Sequence, residues 1–119
     1  MLILVAHGSR NPLWRAAVER LTASIQAELG ENRVRLAYME CSPPSLMDVV
    51  SEAARAGVAD IRVLPLFLAD EGHVDRNIRP LVEDIRRAHR TIQIDLLPAL
   101  GHYQQFRELI CDIAVNEAR

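Results

Sequence analysis

The sequence contains no lysine, and all 14 of its basic residues are arginine. Together with 16 acidic residues they give a formal net charge of -2, so no global positive field exists to draw in nucleic acid. An arginine-only set of cations has two explanations. One is GC-rich coding, and the other is carboxylate binding, for which the planar guanidinium donates two parallel hydrogen bonds. Composition leaves both open.

Cysteine and long apolar runs are also scarce. Cys41 and Cys111 are too few for a disulfide framework. No apolar run approaches the roughly 20 residues that a membrane-spanning helix needs. The apolar residues 1–6 lack the basic region of a signal peptide. We therefore expect a cytoplasmic protein that does not contact membranes.

Several motifs for cofactors and nucleophiles are missing. The sequence has no Gly-x-Gly-x-x-Gly and no P-loop, which argues against dinucleotide and nucleoside triphosphate sites. It has no Gly-x-Ser-x-Gly elbow and no Cys-x-x-Cys pair, which argues against a serine hydrolase and a structural zinc site. We expect no nucleotide or redox cofactor.

Strand and helix patterns alternate four times along the chain. Residues 2–6 and 61–68 are largely apolar, whereas residues 34–38 and 92–96 alternate between apolar and polar. Four β-α units predict a three-layer α/β/α domain over residues 1–119, with a four-stranded parallel sheet. Because the apolar first and third strands should be central, the predicted strand order is 2-1-3-4.

The helix boundaries are signalled by caps and prolines. Asn11-Pro12 should begin the first helix, Ser42-Pro43-Pro44 the second, and Asn77 should cap the third. We interpret His102 as a cap of the last helix. That helix carries Phe106, Leu109, Ile110 and Ile113 at helical spacing, as expected of a helix that covers one face of the sheet.

Two histidines follow the two central strands. His7-Gly8-Ser9-Arg10 leaves the first strand, and Gly72-His73-Val74 follows the third. Ligands of open α/β sheets bind beyond the carboxyl ends of the strands at the point where the strand order reverses. Imidazole is a good ligand for cobalt, nickel, iron and zinc, and it titrates near neutral pH. We therefore predict that His7 and His73 meet at this edge as metal ligands and catalytic groups.

Other polar residues lie near the same edge. Glu40, at the end of the second strand, is either a proton acceptor or metal ligand, or an acid placed at a helix start, where the helix dipole favours it. Arg10 and Arg76 each follow a rim histidine by three residues. They are the arginines best placed to bind an anionic ligand, and Ser9 adds a hydroxyl donor. Ordinary surface roles for both arginines stay open.

Three segments together resemble the small sirohydrochlorin chelatases. These segments are His7-Gly8-Ser9-Arg10, the strand end at Tyr38-Met39-Glu40 with Pro43-Pro44-Ser45-Leu46 after it, and Leu64-Pro65-Leu66-Phe67-Leu68 leading to Gly72-His73-Val74. The family belongs to the class II, ATP-independent chelatases, together with the ferrochelatases. The resemblance covers essentially the whole chain in order and spacing.

The resemblance implies a ferrochelatase-like half-domain that acts as a homodimer. The implied activity is insertion of cobalt(II), or nickel(II) or iron(II), into sirohydrochlorin, on the way to cobalamin or siroheme, with no cofactor besides the substrate metal. By motif position, His7 and His73 match the family's metal-handling histidines and Glu40 matches its acidic position. Because the substrate is rich in carboxylates, it would give Arg10 and Arg76 a role. A broad macrocycle also needs a second wall, which a symmetric dimer supplies.

Two other functions fit parts of the same pattern. A metal-binding or metal-delivery protein without catalysis would bind metal through His7 and His73 but ignore tetrapyrrole. A small phosphate-handling hydrolase would use His7 as nucleophile or base and Arg10 on phosphate. A metallation assay separates all three.

Overall fold

A computed structural model describes residues 1–68, 72 and 74–119 of the chain. Within these residues the strands are β1 (Leu2–Ala6), β2 (Val34–Tyr38), β3 (Asp60–Pro65) and β4 (Gln93–Leu96). The helices are α1 (Pro12–Leu29), α2 (Leu46–Arg55), α3 (Arg79–Ala88) and α4 (Gln104–Ala118). A π-helical turn, Val74–Ile78, leads directly into α3, and a 3-10 helix, Leu100–His102, precedes α4.

The strands form one parallel sheet in the order β2-β1-β3-β4, which confirms the predicted fold class and strand order. β1 lies in the interior of the sheet between β2 and β3. Its side chains are therefore buried on both faces, and Ile3, Leu4 and Val5 are at most 2% exposed. β3 is shorter than the apolar run that predicted it. It ends at Pro65, and Phe67 and Leu68 leave the sheet.

The main hydrophobic core lies between one face of the sheet and helices α2 and α3. Side chains of alternate strand positions point to this face, as the two-residue period of a strand requires. They pack against the apolar stripes of the two helices. The fully or almost fully buried members include Ile3, Val5, Val49, Val50, Ile61, Val63, Val82 and Ile85. This face is a well-packed scaffold for the loops above it.

Helix α1 covers the β2 side of the opposite face. Its Thr22 is buried, and the Gln26 side-chain amide donates to the carbonyl of Val34. The Tyr38 hydroxyl donates to Glu19 Oε1 at 3.1 Å. Burial raises the pKa of Tyr38, and the hydrogen bond to the Glu19 carboxylate raises it further. The phenol therefore stays protonated at neutral pH and keeps donating to Glu19.

The helix starts confirm some sequence signals and correct others. Asn11 caps α1 through its side chain, with Pro12 in the first turn, as predicted. Helix α2 begins later than predicted, at Leu46, because Ser45 and Asp48 form a reciprocal capping box. His102 is not a cap, since it lies in the 3-10 helix and Tyr103 occupies the N-cap position of α4.

Two further observations complete the fold. Among the described residues, no helix has the length and apolar character required to cross a membrane. Helix α4 forms where its periodicity predicts, but none of its described side chains is buried. Phe106 is half-buried and faces Leu2 and Leu64 of the sheet across a groove, whereas Leu109, Ile110 and Ile113 are about half exposed.

Candidate functional site

A depression of about 390 Å³ opens at the carboxyl ends of β1 and β2. Its floor and walls come from the end of each strand, from the π-helical turn and from the first residues of α3. The described side chains that line it are His7, Met39, Glu40, Arg76, Asn77 and Leu81. Three of the six were predicted as site residues, and the other three were not.

His7 is held in place by an aromatic contact. Its imidazole stacks on the ring of Phe67, with ring centroids 4.2 Å apart and planes inclined by 29°. Phe67 is only 3% exposed and belongs to the main core. Because the stacked ring is anchored in the core, the plane of the imidazole is fixed against the scaffold. His7 itself is half-buried and faces the depression.

Glu40 lies beside His7 because the sheet ladder continues past the strand ends. The Met39 amide donates to the carbonyl of Ala6, and the Glu40 amide donates to the carbonyl of His7 at 3.2 Å. Gly8 follows in the left-handed region with φ of +92°. A Cβ at this position would lie 1.9 Å from the Glu40 carbonyl oxygen, so the close approach of the two loops requires glycine.

The loop after β1 is fastened to the loop after β2 by Ser42. The Ser42 hydroxyl donates to the carbonyl of Ser9 at 2.6 Å and accepts from the Ser9 amide at 3.2 Å. Arg15 of α1 donates to the same Ser9 carbonyl. These bonds, together with the Gly8 contact, set the separation of the backbone segments that carry His7 and Glu40.

The π-helical turn brings Arg76 and Asn77 to the depression. The Arg76 side chain folds back so that Nε donates to the carbonyl of Gly72 at 3.3 Å, and it is exposed. The prediction that Asn77 caps α3 is wrong, because the residue at the N-cap is Ile78 and the helix continues directly from the π turn. π-helical turns are rare and occur often at functional sites.

The remaining predicted site residues have different outcomes. His73 lies outside the described residues, so its convergence with His7 stays a prediction. Among the described residues that line the depression, neither Ser9 nor Arg10 is found. Arg10 is exposed on the loop after β1, and the Ser9 hydroxyl accepts from the Asn11 amide. Their role in substrate binding also stays a prediction.

Four residues of the site and its support were not predicted from the sequence: Phe67, Met39, Asn77 and Leu81. Met39 and Phe67 stand within the motifs that carry the family resemblance, but their pattern is that of ordinary strand residues. Asn77 and Leu81 are four residues apart, which places them on one face of a helix. Nothing in the hydrophobic period indicates that this helical face borders a depression.

The described residues of the depression can perform three kinds of chemistry. His7 offers an imidazole nitrogen to a metal or a proton, and Glu40 offers a carboxylate. Arg76 offers a cation for an anionic ligand. Among the residues that the structure describes, no cluster of three His, Cys, Asp or Glu side chains forms a closed metal site.

The chain resembles known proteins over almost its full length. Residues 1–117 match the model of the CbiX family. A sirohydrochlorin cobaltochelatase of Methanopyrus kandleri is 38% identical over 78 residues, which are 65% of this chain and 54% of that protein. Another, from Methanococcoides burtonii, is 23% identical over 97% of this chain and 94% of that protein. The first of these matches therefore spans only about half the length of the relative.

Solved structures show the same fold. A CbiX protein from Marinobacter aquaeolei VT8 superposes with a TM-score of 0.84 and 33% identity, covering 99% of this chain and 93% of that one. The sirohydrochlorin chelatase SirB of Bacillus subtilis subspecies spizizenii, solved in complex with cobalt, superposes with a TM-score of 0.78. It is 18% identical, and the match covers 87% of this chain but 44% of the SirB chain.

Proposed function

Since this chain belongs to the CbiX family, we propose that it is an ATP-independent chelatase that inserts a divalent metal ion into sirohydrochlorin. Cobalt(II) is the proposed metal, with nickel(II) and iron(II) as the chemically similar alternatives. The observation that carries the proposal is the pairing of His7 and Glu40 in one depression at the carboxyl edge of the sheet. The names of the relatives supply the substrate class.

The reaction makes two demands on the protein. A metal ion must shed part of its water shell and reach the centre of the macrocycle, and two pyrrole protons must leave. A histidine ligand binds the metal weakly enough to release it, because the site is open on the substrate side. We assign this role to His7 and, from the sequence, to His73.

Glu40 is the proposed acceptor of the pyrrole protons. Its backbone amide is bonded to the carbonyl of His7, so its side chain starts from a fixed point next to the metal ligand. The side chain is exposed in the depression, where a carboxylate exchanges protons with water rapidly. No nucleotide is consumed, because proton release and metal binding by the macrocycle drive the reaction.

Arg76, Arg10 and Ser9 are the proposed contacts of the substrate carboxylates. Arg76 has the stronger structural case, because it lines the depression and its side chain is exposed. Arginine binds carboxylates through two parallel hydrogen bonds, which orients a flat ligand as well as attracting it. A second copy of the chain would enclose the macrocycle from the other side, so we propose a homodimer as the working form.

The test is a metallation assay. The protein is incubated with sirohydrochlorin and cobalt(II), nickel(II) or iron(II) in turn, and the absorbance bands of the macrocycle are followed. We expect metallation above the spontaneous rate, unchanged by added ATP, and absent with heat-denatured protein. Cobalt binding without faster metallation would instead indicate a metal-delivery protein. Turnover of phosphate esters with no effect on the macrocycle would indicate the hydrolase.

A further inference from the structure

Helix α1 is connected to the candidate site through three polar side chains. The Tyr38 hydroxyl, at the end of β2, donates to Glu19 Oε1 at 3.1 Å. The same carboxylate oxygen lies 3.9 Å from Nε of Arg15, which is one helical turn earlier on α1. Arg15 Nη1 in turn donates to the carbonyl of Ser9 at 2.9 Å. We call the side chains of Arg15, Glu19 and Tyr38 the α1 network. It joins a strand end to the loop that carries His7.

The Tyr38 end of the α1 network is fixed in the interior of the protein. Tyr38 is 3% exposed and pairs with Ala6 in the ladder between β1 and β2. Its amide donates to the carbonyl of Pro44 at 2.9 Å. Burial and the hydrogen bond to Glu19 both raise the pKa of Tyr38, so the hydroxyl remains a donor at neutral pH. The network therefore starts from a part of the sheet that does not move.

The other end of the α1 network is the Ser9 carbonyl. This oxygen accepts from Arg15 of α1 and, at 2.6 Å, from the Ser42 hydroxyl of the loop after β2. Ser9 stands two residues after His7, and Ser42 stands two residues after Glu40. Because the two donors belong to different segments, the carbonyl is held between α1 and the loop that carries Glu40. Loss of the Arg15 donor should loosen the loop that carries His7.

The contacts of Arg15 depend on the shape of its guanidinium. Nη1 bonds the Ser9 carbonyl while Nε faces the Glu19 carboxylate, so one planar group makes both contacts through separate nitrogens. A lysine ammonium is a compact point charge and would hold only one of the two partners. The Arg15 side chain is also only 27% exposed. Orientation of a loop is therefore a use of arginine in this chain besides the two that composition left open.

The separation of His7 and Glu40 matters to the proposed metal transfer. Their backbones are joined by one hydrogen bond, from the Glu40 amide to the His7 carbonyl, and its 3.2 Å length is at the long limit of the usual range. Misplacing a reacting group by about 1 Å can lower a rate by about 100-fold. A single long hydrogen bond gives limited control over this separation, so a second connection between the same two loops has a catalytic consequence.

We infer that Arg15 and Tyr38 are positioning residues of the site. Acting through the Ser9 carbonyl, they hold the loop that carries His7 at the distance from Glu40 that metal transfer requires. Neither residue is among the described residues that line the depression. The inference rests on the proposed chelatase function, and it predicts a slower chemical step with unchanged binding of the macrocycle.

Native-state amide hydrogen exchange, followed by NMR, tests the connection without any metallation. Arg15→Met removes both guanidinium contacts and keeps a long apolar stem. We expect the amides of Ser9 and Glu40 to exchange about tenfold faster than in the wild type, the effect of losing one hydrogen bond from a locally opening segment. The amide of Val63, which is buried in the interior of the sheet, should keep its exchange rate, since the loss is local.

Arg35→Met is the matched control. Arg35 also belongs to the half-buried residues, with a side chain that is 33% exposed, and it pairs with the Glu52 carboxylate at 2.9 Å. This ion pair joins β2 to α2, so it is remote from the Ser9 carbonyl. Its loss should leave the exchange of the Ser9 and Glu40 amides and the metallation rate as in the wild type.

Metallation kinetics test the catalytic consequence. The kcat of Arg15→Met should fall about tenfold while the KM for sirohydrochlorin stays unchanged, because the lining of the depression is intact. Arg15→Lys should recover part of the loss, because it restores one donor. Tyr38→Phe removes only a hydroxyl and should cause a smaller loss. It should cause no further loss in the Arg15→Met background, because Tyr38 acts through Arg15.

The outcomes separate this inference from the proposed function. Unchanged exchange of the Ser9 and Glu40 amides in Arg15→Met would overturn the inference. Faster exchange with an unchanged kcat would overturn it too, since the connection would then have no role in positioning. So would losses of Tyr38→Phe and Arg15→Met that simply add. A wild type that does not metallate the macrocycle would refute the proposed function instead, and the exchange rates alone would then decide whether the α1 network holds the loop.

Discussion

Replacing His7 by alanine should slow metallation of sirohydrochlorin by about 100-fold or more, the usual contribution of a positioned acid-base or ligand group. The imidazole is the only described histidine ring in the depression, and its plane is fixed by the buried Phe67 ring. The loss should appear in the rate at saturating metal and macrocycle, because metal delivery is removed while the walls stay in place. Stopped-flow absorbance measures it directly.

His102→Ala is the matched control for that substitution. His102 also lies near the carboxyl ends of the strands, but it is exposed in the 3-10 helix and does not line the depression. Its removal should leave the rate within about twofold of the wild type, as for surface substitutions in general. Equal losses in both variants would mean that the assay reports non-specific metal binding. His73→Ala should behave like His7→Ala, a prediction that comes from the sequence.

Gly8→Ala is expected to destabilise the protein more than an ordinary surface substitution. The new Cβ would lie 1.9 Å from the Glu40 carbonyl oxygen, a backbone atom that is held by the ladder between β1 and β2. The residue also has a φ of +92°, which side chains disfavour. We expect the free energy of unfolding to fall by about 4 kcal/mol or more, which is exceptional for a single substitution.

Gly30→Ala separates the two causes. Gly30 has nearly the same backbone angle, with φ of +98°, but no described atom beyond its immediate neighbours lies within 4 Å of the position that a Cβ would occupy. The substitution should therefore cost only about 1–3 kcal/mol, the usual penalty of a sparsely populated backbone region with positive φ. Urea titration of both variants gives the comparison. If the two losses are equal, the contact between Gly8 and the Glu40 backbone is not tight and the spacing of the two loops is not set there.

The strand order could be predicted because a strand that is buried on both faces has a continuous run of apolar residues. β1 has five apolar residues in a row, as a strand between two layers requires, whereas β4 alternates as an edge strand does. The position of His7 at the carboxyl edge followed from that order. The closeness of Glu40 to His7 could also be predicted from the strand order, because adjacent parallel strands end at the same edge of the sheet.

The details of the depression could not be predicted in the same way. Arg10 and Arg76 have the same spacing from a histidine, yet only Arg76 lines the depression. Arg76 is carried there by a π-helical turn, and the period of apolar residues does not distinguish this turn from the start of an α-helix. Asn77 was assigned to a cap for the same reason.

Helix α4 shows a second limit of sequence patterns. The spacing of Phe106, Leu109, Ile110 and Ile113 predicts that one face of the helix is buried, but it does not identify the surface that buries it. The core of one chain is the default partner in such a prediction. Here none of the described side chains of α4 is buried, and only Phe106 of the four apolar residues is even half-buried.

A crystal soaked with cobalt(II) and measured at the cobalt absorption edge tests the assignment of the metal site most directly. The proposed chemistry predicts an anomalous peak about 2.1 Å from a ring nitrogen of His7, the distance usual for metal–imidazole bonds, on the side that faces Glu40. A strong peak elsewhere, for example beside His89 or Cys111, with none at His7 would contradict it.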